Sequence, residues 1–233
     1  MPRPFRLELG DGHFLAGDQL AGDGPTYLFL HGLGSVRQGT KSASLLAHAQ
    51  RHGRPFVRVD LRGHGESSGR IGQVEPSALI DDVGRLLQQI GPAVVVGSSL
   101  GGLVGAMAAA AHPQQVVGLA LLAPAFGLMN NLADRLDVNG HLHTSDGRSH
   151  AVTAEVLADA RALDERSLSK RLAAPTLLVH GTADDVIPPF VSERFFAALA
   201  QPRKDLWLVP GGDHRLADVA DAIWPRLDAL LAI

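Results

Sequence analysis

A chain of 233 residues that is 45% hydrophobic and 19% charged has the size and balance of one globular domain with a single core. Its net charge of −3, with no Lys/Arg block, argues against an electrostatic nucleic-acid or anionic-membrane surface. The absence of cysteine excludes disulfides, thiolate metal sites and a cysteine nucleophile. No apolar run is long enough to span a bilayer, and Met1-Pro2-Arg3-Pro4-Phe5-Arg6 lacks the apolar stretch of a signal peptide, so a cytoplasmic setting is expected.

In chain order, Arg6–Leu9, a Gly10-Asp11-Gly12 turn and His13–Gly17 predict an antiparallel hairpin. Apolar strands then alternate with helical stretches: strand Tyr27–Leu30, helix Ser42–His52, strand Phe56–Val59, helix Pro76–Ile90, strand Ala93–Val96 and an Ala-rich helix Leu103–Ala111. Strands Val117–Leu122, Thr176–Val179 and Leu206–Val209 follow, with helices near Pro189–Leu199 and Ala217–Leu231. Such alternation predicts an α/β fold, a mostly parallel sheet with helices on both faces and functional groups beyond the carboxyl ends of the strands. From about Phe126 to Leu172 the rhythm breaks. No strand is predicted there, Thr153 is placed to cap a helix through Ala162, and the segment is expected to form a small cap inserted into a single domain spanning 1–233.

The stretch Gly97-Ser98-Ser99-Leu100-Gly101 spells G-x-S-x-G between a β-branched strand and a helix. A serine at such a turn is held in strained backbone with its hydroxyl exposed above the sheet, which makes Ser99 the candidate nucleophile. A hydroxyl needs a base to take its proton, and the base works best when a carboxylate orients it. Strand Thr176–Val179 runs into His180-Gly181-Thr182-Ala183-Asp184-Asp185, and strand Leu206–Val209 into Pro210-Gly211-Gly212-Asp213-His214. His214 is therefore the candidate base, and Asp184 is favoured over Asp185 as its orienting acid by its register after Gly181. The oxyanion donors expected are the backbone N–H groups of Leu100, directly after the serine, and Leu33, between Gly32 and Gly34. His31 is expected to be structural, bonding backbone and shaping that loop.

His31-Gly32, Asp60-Leu61-Arg62-Gly63-His64-Gly65-Glu66-Ser67, Gly97–Gly101, His180–Pro188 and Gly212–His214 resemble, in order, the signatures of the α/β-hydrolase superfamily. The pairing of Gly97–Gly102 with Gly212-Asp213-His214-Arg215-Leu216 is similar to small-cap carboxylesterases and depalmitoylating thioesterases of the mitochondrial type. The resemblance implies a serine hydrolase acting on a small-molecule acyl ester or thioester through an acyl-enzyme. Relatives with Asp at the nucleophile position, the haloalkane dehalogenases and epoxide hydrolases, are excluded by Ser99. C–C-bond hydrolases, haloperoxidase-like enzymes and a non-catalytic binding protein of the same fold remain as alternatives.

Phe126, Leu128 and Met129 at the start of the cap are the expected wall of an acyl pocket, for short to medium chains. With aromatics at 5%, Leu, Ala, Val and Met are expected to line it. The Asp60–Ser67 stretch is expected to fix the turn below the site. His141, His143, Asp146 and His150 have spacing that admits a metal cluster, but a solvated cap loop is favoured. With no Walker Lys or G-x-G-x-x-G, no phosphate-binding cofactor is expected, and no metal either.

Overall fold

The computed structural model describes residues 1–10, 12–144 and 146–232. Asp11 of the expected hairpin turn, Ser145 of the expected cap loop and Ile233 lie outside the described residues. Strands β1 (Arg3–Glu8) and β2 (Phe14–Leu20) form the antiparallel hairpin. They are followed by β3 (Thr26–Leu30), α1 (Thr40–Arg51), β4 (Phe56–Val59), α2 (Pro76–Ile90), β5 (Ala93–Ser98), α3 (Leu100–Ala111) and β6 (Val116–Leu122). An insertion then holds β7 (His141–His143), β8 (Ser149–Ala151), α4 (Ala154–Ala162) and α5 (Leu168–Arg171), and after it come β9 (Thr176–Gly181), α6 (Phe190–Ala198), β10 (Lys204–Val209) and α7 (Ala220–Leu231). The sheet has eight strands in the order β1-β2-β4-β3-β5-β6-β9-β10, parallel from β4 to β10, with β2 joined antiparallel to β4.

The two faces of the sheet follow from the period-two alternation of its strands. Tyr27 and Phe29 of β3 face a core layer with Leu45 and Ala49 of α1 and Ile223, Trp224 and Leu227 of α7. Leu28 and Leu30 face the opposite layer with Val83, Leu86 and Leu87 of α2 and Leu103 and Val104 of α3. β5, buried at every residue, sits between the two layers, which is why its run of valines carries no polar alternation. Burying each such side chain contributes roughly 1.5–3 kcal/mol. Pro76 opens α2 at its first turn, where no N–H is needed, and Gly91 ends it at φ 76°.

The insertion between β6 and β9 departs from the strand-free expectation. His141–His143 (β7) pairs antiparallel with Ser149–Ala151 (β8), a ribbon of three residues a side. A turn bond from Thr144 N to Arg148 O and Gly147 at φ 81° close it, and Leu142 is buried in the main core. Runs this short and rich in histidine carry no strand period that the sequence could display; the paired backbone is stabilised by docking Leu142. Helix α4 (Ala154–Ala162) begins where expected, with Thr153 Oγ1 accepting from Val156 N at 3.4 Å, and α5 (Leu168–Arg171) is one turn long.

Candidate active site

Ser99 stands between β5 and α3 with φ 52° and ψ −117°, a conformation that costs a non-glycine residue about 1–3 kcal/mol. The surroundings hold it there. Its N–H donates to Leu122 O at 2.9 Å, and its carbonyl accepts from Gly102 N at 3.0 Å, Leu103 N at 3.2 Å and Ala125 N at 3.0 Å. The flanking glycines are sterically required. A Cβ on Gly97 would press into the Gly101 carbonyl, and one on Gly101 into the carbonyls of Leu30 and His31. The turn can therefore pass beneath the end of β3 only without side chains at these two positions.

The loop after β3 lies directly against the serine. A Cβ on Gly32 would be 3.2 Å from Ser99 Cβ. Leu33 and Gly34 are the central residues of a turn closed by Ser35 N–H to Gly32 O at 3.2 Å, with Gly34 at φ 68°, so the Leu33 N–H is not used by the turn's own bond. Leu100 is the first residue of α3, where N–H groups have no partner within the helix. His31 is buried beneath this loop. Its Nε2 accepts from Leu61 N at 3.0 Å and its Nδ1 donates to Gly32 O at 2.8 Å. Burial, aided by the neighbouring His64, pushes its pKa down to about 4, against the opposing hydrogen bond to Gly32, so the ring is neutral and fixes the loop.

Beyond β9, Asp184 is buried and accepts four hydrogen bonds. Its Oδ1 takes Val186 N at 2.9 Å and Ile187 N at 2.8 Å, and its Oδ2 takes His214 Nδ1 at 2.7 Å and His180 Nε2 at 3.0 Å. Burial by itself would raise its pKa. The hydrogen bonds from His180, His214, Ile187 and Val186 outweigh it and hold the carboxyl well below the usual carboxylate range. Asp185 is exposed.

His214 follows β10 on a turn fastened from two sides. Asp213 Oδ1 accepts from Arg215 N at 3.0 Å and Leu216 N at 2.9 Å, and Lys41 Nζ donates to Arg215 O. With Nδ1–H donated to Asp184, Nε2 is the acceptor nitrogen of the neutral His214 ring. Ser99, His214 and Leu33 line one open cleft of about 460 Å³.

Behind this cleft lies a smaller cavity of about 60 Å³ with an apolar wall, bounded by Leu33 and Leu100 on the core side and by Leu128, Met129, Leu132 and Leu142 on the insertion side. Of the three residues expected to wall an acyl pocket, Leu128 and Met129 line this cavity. Phe126 does not. It stacks on Phe195 of α6, centroids 3.8 Å apart, and lines a different groove with Glu165 and Arg194. The turn Ala125–Leu128, with Gly127 at φ 88°, reverses the chain and sends Phe126 away from the cavity.

Sequence reasoning missed two contributions. His180 is fully buried between Asp184, Ile187 O at 2.9 Å and Ser192 Oγ at 2.7 Å; its i,i+4 spacing to Asp184 was the available signal. The Asp60–Ser67 segment, expected only to fix the turn below the site, also walls the cavity through Arg62 and His64, beside Ile71 further along. Arg62 is clamped there by Asp82, with contacts of 2.9 and 2.6 Å.

The family model "Serine aminopeptidase, S33" matches residues 25–145, more than half of the chain, and that of the prolyl oligopeptidase family matches 89–230. The mouse mitochondrial palmitoyl-protein thioesterase ABHD10 is 27% identical over 237 residues, spanning 89% of this chain and 74% of that protein. Its domain in the solved mouse structure superposes with TM-score 0.81 at 24% identity, over 99% of this chain and 98% of that one. Est1E from Butyrivibrio proteoclasticus, solved with ferulic acid bound, superposes with TM-score 0.82 at 18% identity, over 97% and 99% of the two chains. Together with the sheet order and the strained serine turn, these matches show that the chain belongs to the α/β-hydrolase superfamily, in the serine aminopeptidase S33 family, and is a serine hydrolase.

Proposed function

We propose that this hydrolase cleaves carboxylic esters or thioesters of short to medium acyl chains, with Ser99 as nucleophile, His214 as base and Asp184 as its orienting carboxylate. The observation that carries the reading is the meeting of a strained Ser99 and an Asp184-bonded His214 on one cleft. His214 Nε2 takes the proton of the Ser99 hydroxyl as Oγ attacks the acyl carbon. The N–H groups of Leu33 and Leu100 receive the developing oxyanion. The imidazolium then gives its proton to the departing alcohol or thiol, leaving the acyl group on Ser99. Water, activated by the same imidazole, releases the acid.

The acyl group belongs in the apolar cavity between Leu100 and the insertion, and the leaving group in the open cleft beside Lys41. Residues 126–172 serve, on this reading, as a small cap of a single domain spanning 1–233. The cavity of about 60 Å³ is under half of the roughly 150 Å³ that accommodates benzene, which favours acyl groups of a few carbons over a palmitoyl chain. Nucleophile, base and oxyanion donors all come from the chain, so activity is expected to survive EDTA. The test is a panel of p-nitrophenyl esters of rising chain length with acyl-thioesters beside it, run on the wild type and on Ser99→Ala. Turnover that persists in Ser99→Ala, or a fluorophosphonate probe that labels another residue, would overturn the assignment.

A further inference from the structure

The histidines that stand out in the sequence do not gather. His143 Nε2 bonds Asp137 at 2.9 Å, His141 Nδ1 lies 3.7 Å from the same carboxylate, and His150 lies by Thr144. A different set does gather. His48 and His52 sit one helical turn apart, His52 at the end of α1, so their rings leave the same side of the chain. Helix α7 packs against α1 and brings Asp228 beside them. The ligating atoms of His48, His52 and Asp228 all lie within 4.8 Å of one another.

The carboxylate is anchored for this geometry. Its Oδ1 accepts from the Tyr27 hydroxyl of β3, while Oδ2 faces His48 Nε2 at 2.8 Å. The rings of His48 and His52 stand 4.4 Å apart, tilted by 40°. A His48–Asp228 hydrogen bond accounts for two of these residues. It gives no reason for the exposed His52 to hold its ring beside that of His48. The positive charge of Arg54 acts on the Tyr27 hydroxyl, the outer partner of Asp228.

We propose that His48, His52 and Asp228 bind a divalent transition-metal cation, zinc foremost, with water as the fourth ligand. Two imidazole nitrogens and one carboxylate oxygen are a donor set for zinc and its neighbours, whereas magnesium and calcium take oxygen. Ligand atoms about 2.1 Å from a tetrahedral zinc stand about 3.4 Å from each other. Rotation of the exposed His52 ring, and withdrawal of His48 Nε2 from Oδ2, reach that arrangement. The hydrogen bond from Tyr27 fixes the carboxylate from behind, as an outer partner does in metal sites. His48 lies eight residues beyond Thr40, which lines the cleft, hence about 12 Å along the helix. The ion therefore takes no part in hydrolysis. It ties the helix whose first turn borders the cleft to the C-terminal helix.

The test is isothermal titration of the full chain, stripped with EDTA, with zinc chloride, alongside His52→Ala and His143→Ala. His52→Ala leaves the Tyr27–Asp228–His48 bonds in place, so it removes a ligand without disturbing the packing. The wild type and His143→Ala are expected to bind one zinc per chain, with affinity at least about tenfold weaker in His52→Ala. Zinc at a hundred times the wild-type Kd should raise Tm by about 5–10 °C in the wild type and by no more than about half of that in His52→Ala. Hydrolysis of p-nitrophenyl acetate at 25 °C should be equal in wild type and His52→Ala. Equal zinc affinity in wild type and His52→Ala overturns the proposal, as does a wild type that binds no zinc below about 100 µM.

Discussion

If Asp184 orients His214 as proposed, replacing it with asparagine has a consequence that the hydrogen bonds dictate. Oδ1 accepts two backbone N–H groups, from Val186 and Ile187, and must stay an oxygen. The amide NH2 of Asp184→Asn is thereby forced into the Oδ2 position, where it meets His214 Nδ1 at 2.7 Å and His180 Nε2 at 3.0 Å. His180 tolerates this, because its Nε2–H also reaches Ile187 O at 2.9 Å. His214 cannot. To avoid opposing donors, Nδ1 must become an acceptor, which moves the proton to Nε2 and removes the base that Ser99 needs. A wrong tautomer of this kind costs about 10⁴ in kcat, equivalent to about 5 kcal/mol. Asp185→Asn, on an exposed carboxylate, should stay within about twofold of wild type. Steady-state hydrolysis of p-nitrophenyl acetate gives the rates, circular dichroism checks folding, and ¹⁵N spectra of the His214 ring report which nitrogen carries the proton. A folded Asp184→Asn enzyme with more than a tenth of wild-type kcat, or a larger loss in Asp185→Asn, would refute this reasoning.

Gly101→Ala should destabilise the fold by about 1–3 kcal/mol and lower kcat, because the new methyl presses on the carbonyls of Leu30 and His31 and moves the start of α3; urea unfolding and steady-state kinetics check it. His31 takes up a proton near its ordinary pH 6.5 in the unfolded chain but only at about 4 in the fold. Its contribution is therefore complete above pH 6.5 and is lost as pH falls through about 4, a change of up to about 3 kcal/mol. Urea midpoints measured from pH 7 to 4 should show this decline, and His31→Gln should flatten it. Met129→Ala and Leu132→Ala should shift the chain-length preference of kcat/KM by a few-fold per carbon, at about 0.8 kcal/mol for each methylene contact, while Phe126→Ala, facing Phe195, should leave that preference unchanged. Equal effects of all three on every ester in the panel would mean that the insertion supports folding without selecting substrate.

What the sequence determined by itself is whatever depends on neighbours along the chain. Ser99, His214 and Asp184 each follow a short apolar strand and sit in glycine-bearing turns, so their placement at one edge of the sheet was legible from strand, turn and helix order alone. The hairpin, the alternation of strands and helices, and the Thr153 cap were legible for the same reason. The strand order, with β3 between β4 and β5, was not, because crossover direction depends on how helices dock. Nor could spacing separate Phe126 from Leu128, since one left-handed glycine at 127 sends them to opposite sides. His180 beneath Asp184 depends on the depth at which a strand end is buried. The convergence of His48 and His52 with Asp228, 180 residues beyond His48, depends on the angle at which α7 lies on α1. These are decided by side-chain packing between distant elements, and packing has no period in the sequence.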